Sequence, residues 1–222
     1  TLAEETLKDD AGAIAAWKER LEEDPSDEEA LSALDRLYER GGDKRALVEI
    51  LRKREENATD RTAKRTFIER AAKAYVALGA IEDAISSYRA ILDDFGSGHA
   101  VLAPIAALYE KAERWDELAE TLEADLAIAE VPVDKMELLA RLGRVRRDKQ
   151  DDAPGALEAF RQALTFDPSH AASRAALEAM LDVESVRRDA AAVFVPSGPD
   201  LLLCRFGPGA CEIHPHLVQQ LR

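Results

Sequence analysis

The residues best suited to bind a metal or form a cross-link lie close together near the end of the chain. They are Cys204, Cys211, His214 and His216, whose side chains are of the types that coordinate zinc. Their spacing, C-x6-C-x2-H-x-H, does not follow that of a zinc finger, so no bound metal is expected. The alternatives are a disulfide in an oxidising compartment, an apolar segment that covers the end of the preceding structure, or a non-native tail.

The rest of the chain carries no pattern that indicates catalysis. It has no glycine-rich phosphate-binding loop, no dinucleotide-binding turn and no HExxH motif. His99 and His170 lie at turns between helices, near the helix breakers Gly98 and Pro168, and are predicted to be helix caps or solvent-facing groups. The many carboxylates are typical of solvated helix faces. The sequence therefore predicts a protein that is not an enzyme and needs no cofactor.

The charge balance argues against one broad class of partner. The 44 acidic residues outnumber the 30 basic ones, and the formal net charge is −14. Nucleic-acid binding requires a basic surface, so no nucleic-acid partner is expected.

No apolar run is long enough to cross a bilayer, and residues 1–10 do not resemble a secretion signal. With only two cysteines, we expect a reducing, cytoplasmic environment. The alanine- and arginine-rich composition suggests a bacterial source.

A repeat indicates which elements build the chain. Bulky apolar residues recur 34 to 38 positions apart, at Trp17, Leu51, Tyr88, Leu122 and Phe160. Between them run stretches with apolar residues three and four positions apart, which is the spacing of a buried helix face. Each interval therefore predicts a pair of helices that must stack on its neighbours to bury its apolar face. The recurring aromatic residues are interpreted as core and not as a ligand site.

These helix pairs resemble the tetratricopeptide repeat family, whose unit is a 34-residue helix–turn–helix. The best-matching stretch contains Leu139, Leu142-Gly143, Phe160, Ala163-Leu164 and Asp167-Pro168. The resemblance implies an all-α fold, an α-solenoid of helix-turn-helix repeats in a right-handed superhelix. We expect residues 1–194 to hold about four full units with partial units at both ends. Residues 195–222 are expected to be a non-repeat segment, a short β-hairpin or an irregular cap. Steps of 37 and 38 residues predict insertions near 57–63 and 147–153.

In the family that the chain resembles, the first helix of each pair lines a concave groove that binds ligands. Carried over by register, the resemblance places six basic residues there: Arg36, Arg40, Lys73, Lys111, Arg144 and Arg147. A basic row on an acidic chain is suited to an acidic peptide or C-terminus. The alternative is a solvated face whose cations pair with Glu39, Glu69 and Glu110.

The family's two-carboxylate clamp for chaperone C-termini requires paired lysine and asparagine side chains in the groove. Asn57 is the only asparagine and lies between repeats, so this binding mode is not expected. The sequence predicts a non-catalytic scaffold that binds a protein or peptide partner, as an extended segment or a helix, in the concave groove. The alternative is a structural spacer of a larger protein that self-associates through its incomplete first pair, near residues 3–25.

Overall fold

The computed structural model describes residues 10–194, and this part of the chain is all-α, as predicted, with no strand. Its helices are α1 (Asp10–Glu23), α2 (Glu28–Gly41), α3 (Lys44–Asn57), α4 (Arg61–Leu78), α5 (Ile81–Phe95), α6 (His99–Lys111), α7 (Trp115–Ile128), α8 (Pro132–Lys149), α9 (Ala153–Phe166), α10 (Ala171–Met180) and α11 (Arg187–Phe194). The hairpin or cap expected at 195–222 lies outside the described residues. So do the weak metal candidates Cys204, Cys211, His214 and His216.

The helices follow the predicted alternation of first and second helices. The bulky residues of the repeat fall on α1, α3, α5, α7 and α9, and all are buried: Trp17, Leu51, Tyr88, Leu122 and Phe160. The first helices α2, α4, α6 and α8 lie between them in the chain. The prediction that these side chains form the core is therefore confirmed.

The chain divides into two compact units, Thr1–Leu108 and Tyr109–Arg222, and the division falls within α6. In the first unit, the successive helices from α1 to α5 pack in order, α1 against α2, α2 against α3, α3 against α4 and α4 against α5. Its core is built on leucines that are at most 1% exposed, among them Leu31, Leu34 and Leu51. Each such side chain contributes about 1.5–3 kcal/mol by leaving water. The second unit follows the same order of packing from α7 to α11.

Aspartates fix where many of the helices begin. The side chains of Asp27, Asp43, Asp60 and Asp152 accept hydrogen bonds from backbone N–H groups three residues ahead. Such a bond satisfies one of the donors that a helix start leaves open, and the negative charge suits that end of the helix dipole. Each of these aspartates therefore fixes the residue at which its helix begins.

The turns inside the helix pairs share one backbone feature. Each contains a residue with a left-handed conformation, with φ values of 74° at Gly42, 73° at Gly79, 56° at Glu113 and 53° at Asp151. Glycine adopts this conformation without a steric penalty, whereas a residue with a Cβ is strained there. Two of these turns contain glycine and two are polar, and both kinds make the same reversal.

The longer intervals in the repeat arise from longer first helices. Both α4 and α8 contain 18 residues, whereas α2 contains 14. In α4 the additional residues lie at its beginning, at the predicted insertion near 57–63, and form about one extra helical turn. In α8 most of the additional length also precedes Leu139, the first residue of the repeat pattern in this helix. The prediction of an insertion near 147–153 is therefore largely wrong, because a helix start absorbs the extra residues without disturbing the turn.

In the second unit, α8 and α9 approach each other closely at Gly143. A Cβ built on Gly143 of α8 would lie 2.7 Å from Cε1 of Phe160 on α9. Phe160 is 1% exposed and is held in a cluster with Ala156, Leu164 and Leu177. The glycine therefore makes room for the ring, and the pairing of Gly143 with Phe160 in the sequence pattern has a direct steric cause.

Candidate partner-binding site

A buried carboxylate organises the first unit. Asp35 lies on α2 within the apolar stripe and is 3% exposed. Arg54 of α3 donates one hydrogen bond to it at 2.5 Å, and Arg70 of α4 donates two, at 2.7 and 2.6 Å. A buried ionised group is costly unless it is paired and hydrogen-bonded, and this one is bound from two helices at once. Asp35 therefore links α2 to the helix that follows it and to the next pair.

The two arginines extend this network outward. Arg54 also donates to Glu28 at 2.5 Å and lies 4.3 Å from the ring centre of Phe67. Arg70 donates to Glu39 at 3.1 Å. The hydrogen bond from Lys44 and then that from Arg70 lower the pKa of Glu39, and the bonds to Asp35 raise the pKa of Arg70. Both groups therefore stay charged across the neutral pH range.

A shallow pocket of about 370 Å³ lies beside the network on the face of α2. It is lined by Ser32, Asp35, Arg36, Glu39, Arg40, Arg54 and Arg70. Four guanidinium groups thus face two carboxylates, in a chain whose net charge is −14. Glu28 and Asp10 also pair with two of these arginines from outside the pocket, Arg54 and Arg40. A cluster of guanidinium groups is suited to an anionic ligand, because a planar guanidinium can bind both oxygens of a carboxylate.

The predicted basic residues of the first unit behave differently from one another. Arg36 is exposed in the pocket and forms no ion pair with any residue in the described range. Arg40 lines the pocket but pairs with Asp10 at 2.5 Å. Lys73 pairs with Glu69 at 3.1 Å and does not line the pocket. The structure thus brings together Arg36 and Arg40, with Arg36 the more available of the two.

In the second unit, Lys111 and Arg144 are exposed and form no ion pair with the residues that the structure describes. Arg147 is half-buried, pairs with Asp148 at 2.6 Å and lies 5.8 Å from the ring centre of Phe160. Its guanidinium is therefore already engaged. Glu110, expected to pair with a groove cation, binds Arg141 of α8 at 2.5 Å instead.

Sequence reasoning missed three residues of this site: Asp35, Arg54 and Arg70. The available signal was Asp35 itself, an acid placed between the apolar positions Leu34 and Leu37 of one helix stripe. A carboxylate in such a stripe needs cations from neighbouring helices. The identity of those cations depends on how successive pairs stack, which a residue pattern within one helix does not contain.

The incomplete first pair was expected to expose an apolar face that could self-associate. Ala13, Trp17 and Leu21 of α1 are all buried against the first-unit core. Between residues 10 and 23, no large apolar side chain is exposed. Self-association through α1 stays a prediction, and the apolar surface described for α1 gives it no support.

Two further kinds of site are absent from residues 10–194. No group of three or more histidine, cysteine, aspartate or glutamate side chains in this range is placed to hold a metal ion. None of the helices in the same range is both long and apolar enough to span a membrane. His170 stands at the N-cap position of α10, and its Nδ1 lies 2.8 Å from the hydroxyl of Ser173.

The chain matches a known family model over one segment and resembles solved structures in its fold. Residues 102–132, which run from α6 into the start of α8, match the family model of the tetratricopeptide repeat. A MamA RS-1 double mutant is similar in structure, with 18% identity, a TM-score of 0.52, and coverage of 75% of this chain and 89% of that chain. MamA from Desulfovibrio magneticus RS-1 gives 19% identity, a TM-score of 0.49, and coverage of 75% and 90%.

YrrB, a tetratricopeptide repeat protein with an unusual peptide-binding site, gives 14% identity, a TM-score of 0.48, and coverage of 78% of this chain and 86% of that chain. No curated protein sequence matches the chain. Likeness at these identities concerns the fold alone. The matched repeat and the succession of helix pairs confirm the resemblance to the tetratricopeptide repeat that is seen in the sequence.

Proposed function

We propose that the chain is a non-catalytic protein-interaction scaffold that binds an acidic segment of a partner in the arginine-lined pocket of its first unit. The tetratricopeptide fold is that of a protein–protein interaction scaffold. The observation that supports the pocket as the site is its cluster of four arginines, of which Arg36 forms no ion pair in the described range, on a chain whose net charge is −14. The positive pocket attracts an anionic partner, whereas the acidic surface elsewhere on the chain repels it.

Two of the arginines are held in place before a ligand arrives. Arg54 and Arg70 are fixed by Asp35, so they lose little side-chain freedom on binding. Arg36 has no ion pair in the described range and is the first candidate to bind a ligand carboxylate. Arg40 must give up Asp10, but both partners of that pair are about half exposed, and such pairs are worth only about 0–1 kcal/mol.

Glu39 occupies a place that a ligand carboxylate could take. It accepts a hydrogen bond from Arg70 at 3.1 Å, and its side chain is 49% exposed. Glu39 also holds Lys44 at 2.7 Å, so it keeps a cation when it leaves Arg70. A partner carboxylate can therefore exchange with Glu39 at Arg70 without leaving a charge unpaired. Removing the charge of Glu39 should strengthen binding.

A titration with a fluorescent acidic peptide tests the pocket. The probe is a 12-residue peptide rich in glutamate and aspartate, compared with the same peptide carrying glutamine and asparagine. The pocket variant Arg36→Glu/Arg40→Glu is matched by Arg45→Glu/Arg89→Glu, which changes two exposed arginines outside the pocket by the same charge. We expect at least a tenfold loss of affinity, about 1.4 kcal/mol, in the pocket variant alone.

Two results extend this test. The Glu39→Gln variant should bind the acidic peptide more tightly than the wild type, because Arg70 loses its internal competitor. Equal loss of affinity in the pocket variant and in its matched control would show that only the net charge matters. In that case the proposal of a defined site would be wrong.

A further inference from the structure

Three helix ends meet at one end of the second unit. Leu126 from the last turn of α7, Met136 from the start of α8 and Ala163 from the last turn of α9 belong to one small core cluster. Their shared contacts place the end of α7, the beginning of α8 and the end of α9 side by side. Residues two to five positions away from these three in sequence therefore lie at the margin of the same cluster.

Large apolar side chains remain exposed along this margin. Ile128 is 39% exposed, Val131 51%, Val133 62% and Phe166 42%. They make up four of the seven large apolar side chains that are exposed between residues 10 and 194. Single exposed apolar residues are ordinary, whereas several at one end of a unit indicate an interaction surface. We call these four residues the apolar margin.

The surroundings of the apolar margin are acidic. Glu130 and Asp134 are exposed and form no ion pair with any residue in the described range. The Glu137 side chain is 62% exposed, and its Oε1 reaches Nε2 of His170 only at 4.0 Å. Lys135 is the one lysine or arginine between residues 128 and 137. Three carboxylates thus flank exposed apolar side chains.

We propose that the apolar margin docks an amphipathic helical segment of a partner that carries lysine or arginine beside its apolar face. The apolar face would cover Val131, Val133 and Phe166, and the cations would face Glu130, Asp134 and Glu137. A second copy of this chain fits less well. A two-fold symmetric contact places the same patch against itself, which would bring the three carboxylates of each copy together.

This inference stands independently of the proposed function. The apolar margin lies in the second unit, whereas the arginine pocket lies in the first. The two surfaces also select opposite charges, since one presents arginines and the other presents carboxylates. Failure of either binding test leaves the other result unaffected.

Binding of a model peptide to the full chain tests the margin. The probe is a fluorescent 18-residue helix of leucine and lysine with one apolar face, measured by anisotropy in 0.3 M salt (roughly a 5–6 Å screening length) to suppress unspecific charge attraction. The variant Val131→Ser/Val133→Ser is matched by Val76→Ser/Val183→Ser, two exposed valines elsewhere. We expect about tenfold weaker binding for the first variant and a change below about twofold for the control.

A second peptide separates charge from apolar contact. With every lysine replaced by glutamate, the peptide should bind at least about tenfold more weakly, because it meets Glu130, Asp134 and Glu137 with like charge. Circular dichroism confirms that each protein variant is folded. The proposal would be overturned by equal binding to the margin variant and its control, by equal binding of the two peptides, or by a wild-type dimer that Val131→Ser/Val133→Ser abolishes.

Discussion

Asp35 shows how one charged residue can serve both packing and recognition. Its carboxylate is buried in the stripe of α2, where an apolar side chain would pack at lower cost. Its three hydrogen bonds from Arg54 and Arg70 fix α2, α3 and α4 in one arrangement. The same bonds hold two guanidinium groups at the wall of the pocket. The residue that specifies the packing therefore also prepares the candidate site.

Replacing Asp35 by asparagine should destabilise the protein by about 2–3 kcal/mol. The change leaves Arg54 and Arg70 without their charged partner, and the loss of one member of a buried pair costs about 3–5 kcal/mol. We reduce that value because Arg70 is one-third exposed and remains partly solvated. Urea denaturation measures the free energy of unfolding.

The matched control for this change is Asp93→Asn, which alters an exposed aspartate of α5. Its free energy of unfolding should stay within about 0.5 kcal/mol of the wild type. If Asp35→Asn is no more destabilising than Asp93→Asn, the buried network does not hold the helices together as described.

At the scale of elements, the sequence contained most of what decides the helices. The apolar stripes, the aspartate caps and the turns at Gly42 and Gly79 are local signals that can be read within about one helix length. The extra length of α8 was misplaced, because the spacing of bulky residues gives the length of a repeat but not which segment within it is longer. The partners of Asp35 were not predictable for a different reason: Arg70 lies 35 residues away and meets it only through the stacking of successive pairs.

The contact of α8 with α9 leads to a prediction about Gly143. Alanine is a better helix former than glycine by about 1 kcal/mol, so Gly143→Ala would stabilise an isolated helix. Here the new Cβ would lie 2.7 Å from the buried ring of Phe160, and overpacking costs about 1–3 kcal/mol. We expect a net destabilisation of about 1–2 kcal/mol in thermal or urea unfolding.

Gly41→Ala supplies the comparison for this prediction. Gly41 is the last residue of α2, and nothing lies within 4 Å of a Cβ built on it. This variant should be neutral or slightly stabilising. Introducing Phe160→Leu should reduce the cost of Gly143→Ala, because a smaller side chain frees the space. A cost that is the same with phenylalanine and with leucine would contradict the steric account.

At the scale of the whole molecule, the charged side chains that sum to −14 are not distributed uniformly along the chain. The first unit carries an arginine-rich pocket, and the second carries an apolar margin flanked by carboxylates. Composition predicted neither feature, because an average over the chain cannot show where charges gather. The division near residue 108 was likewise not foreseen, since the repeat pattern continues through α6 without a change in composition.

Carboxylates that accept hydrogen bonds in the folded protein determine how its stability responds to acid. Hydrogen bonds lower the pKa of four carboxyl groups. The donors are the backbone N–H of Ala30 for Asp27, Lys44 for Glu39, Arg147 for Asp148 and Ser169 for Asp167. A carboxyl group whose pKa is lower in the folded state stabilises the fold above its unfolded pKa. That contribution is lost as the pH falls through the folded pKa. The free energy of unfolding should therefore decrease as the pH falls below 3.8, the ordinary pKa of aspartate.

Melting temperatures measured between pH 7 and pH 3 check this expectation. The wild type should lose thermal stability steeply only in the acidic part of the range. The double variant Asp27→Asn/Asp167→Asn should lose less on acidification, because two of the carboxylates that must be protonated are gone. An identical fall in both proteins would mean that these hydrogen-bonded carboxylates do not carry the acid sensitivity.

The most direct test of the proposed site is to observe its arginines while a ligand binds. Side-chain Nε–Hε signals of the nitrogen-15-labelled chain can be assigned by single Arg→Lys substitutions and followed during titration with the acidic peptide. The pocket predicts that the signals of Arg36 and Arg70 shift in step with binding, while those of Arg45 and Arg89 stay in place. Binding that moves Arg45 and Arg89 but leaves Arg36 and Arg70 unchanged would contradict it.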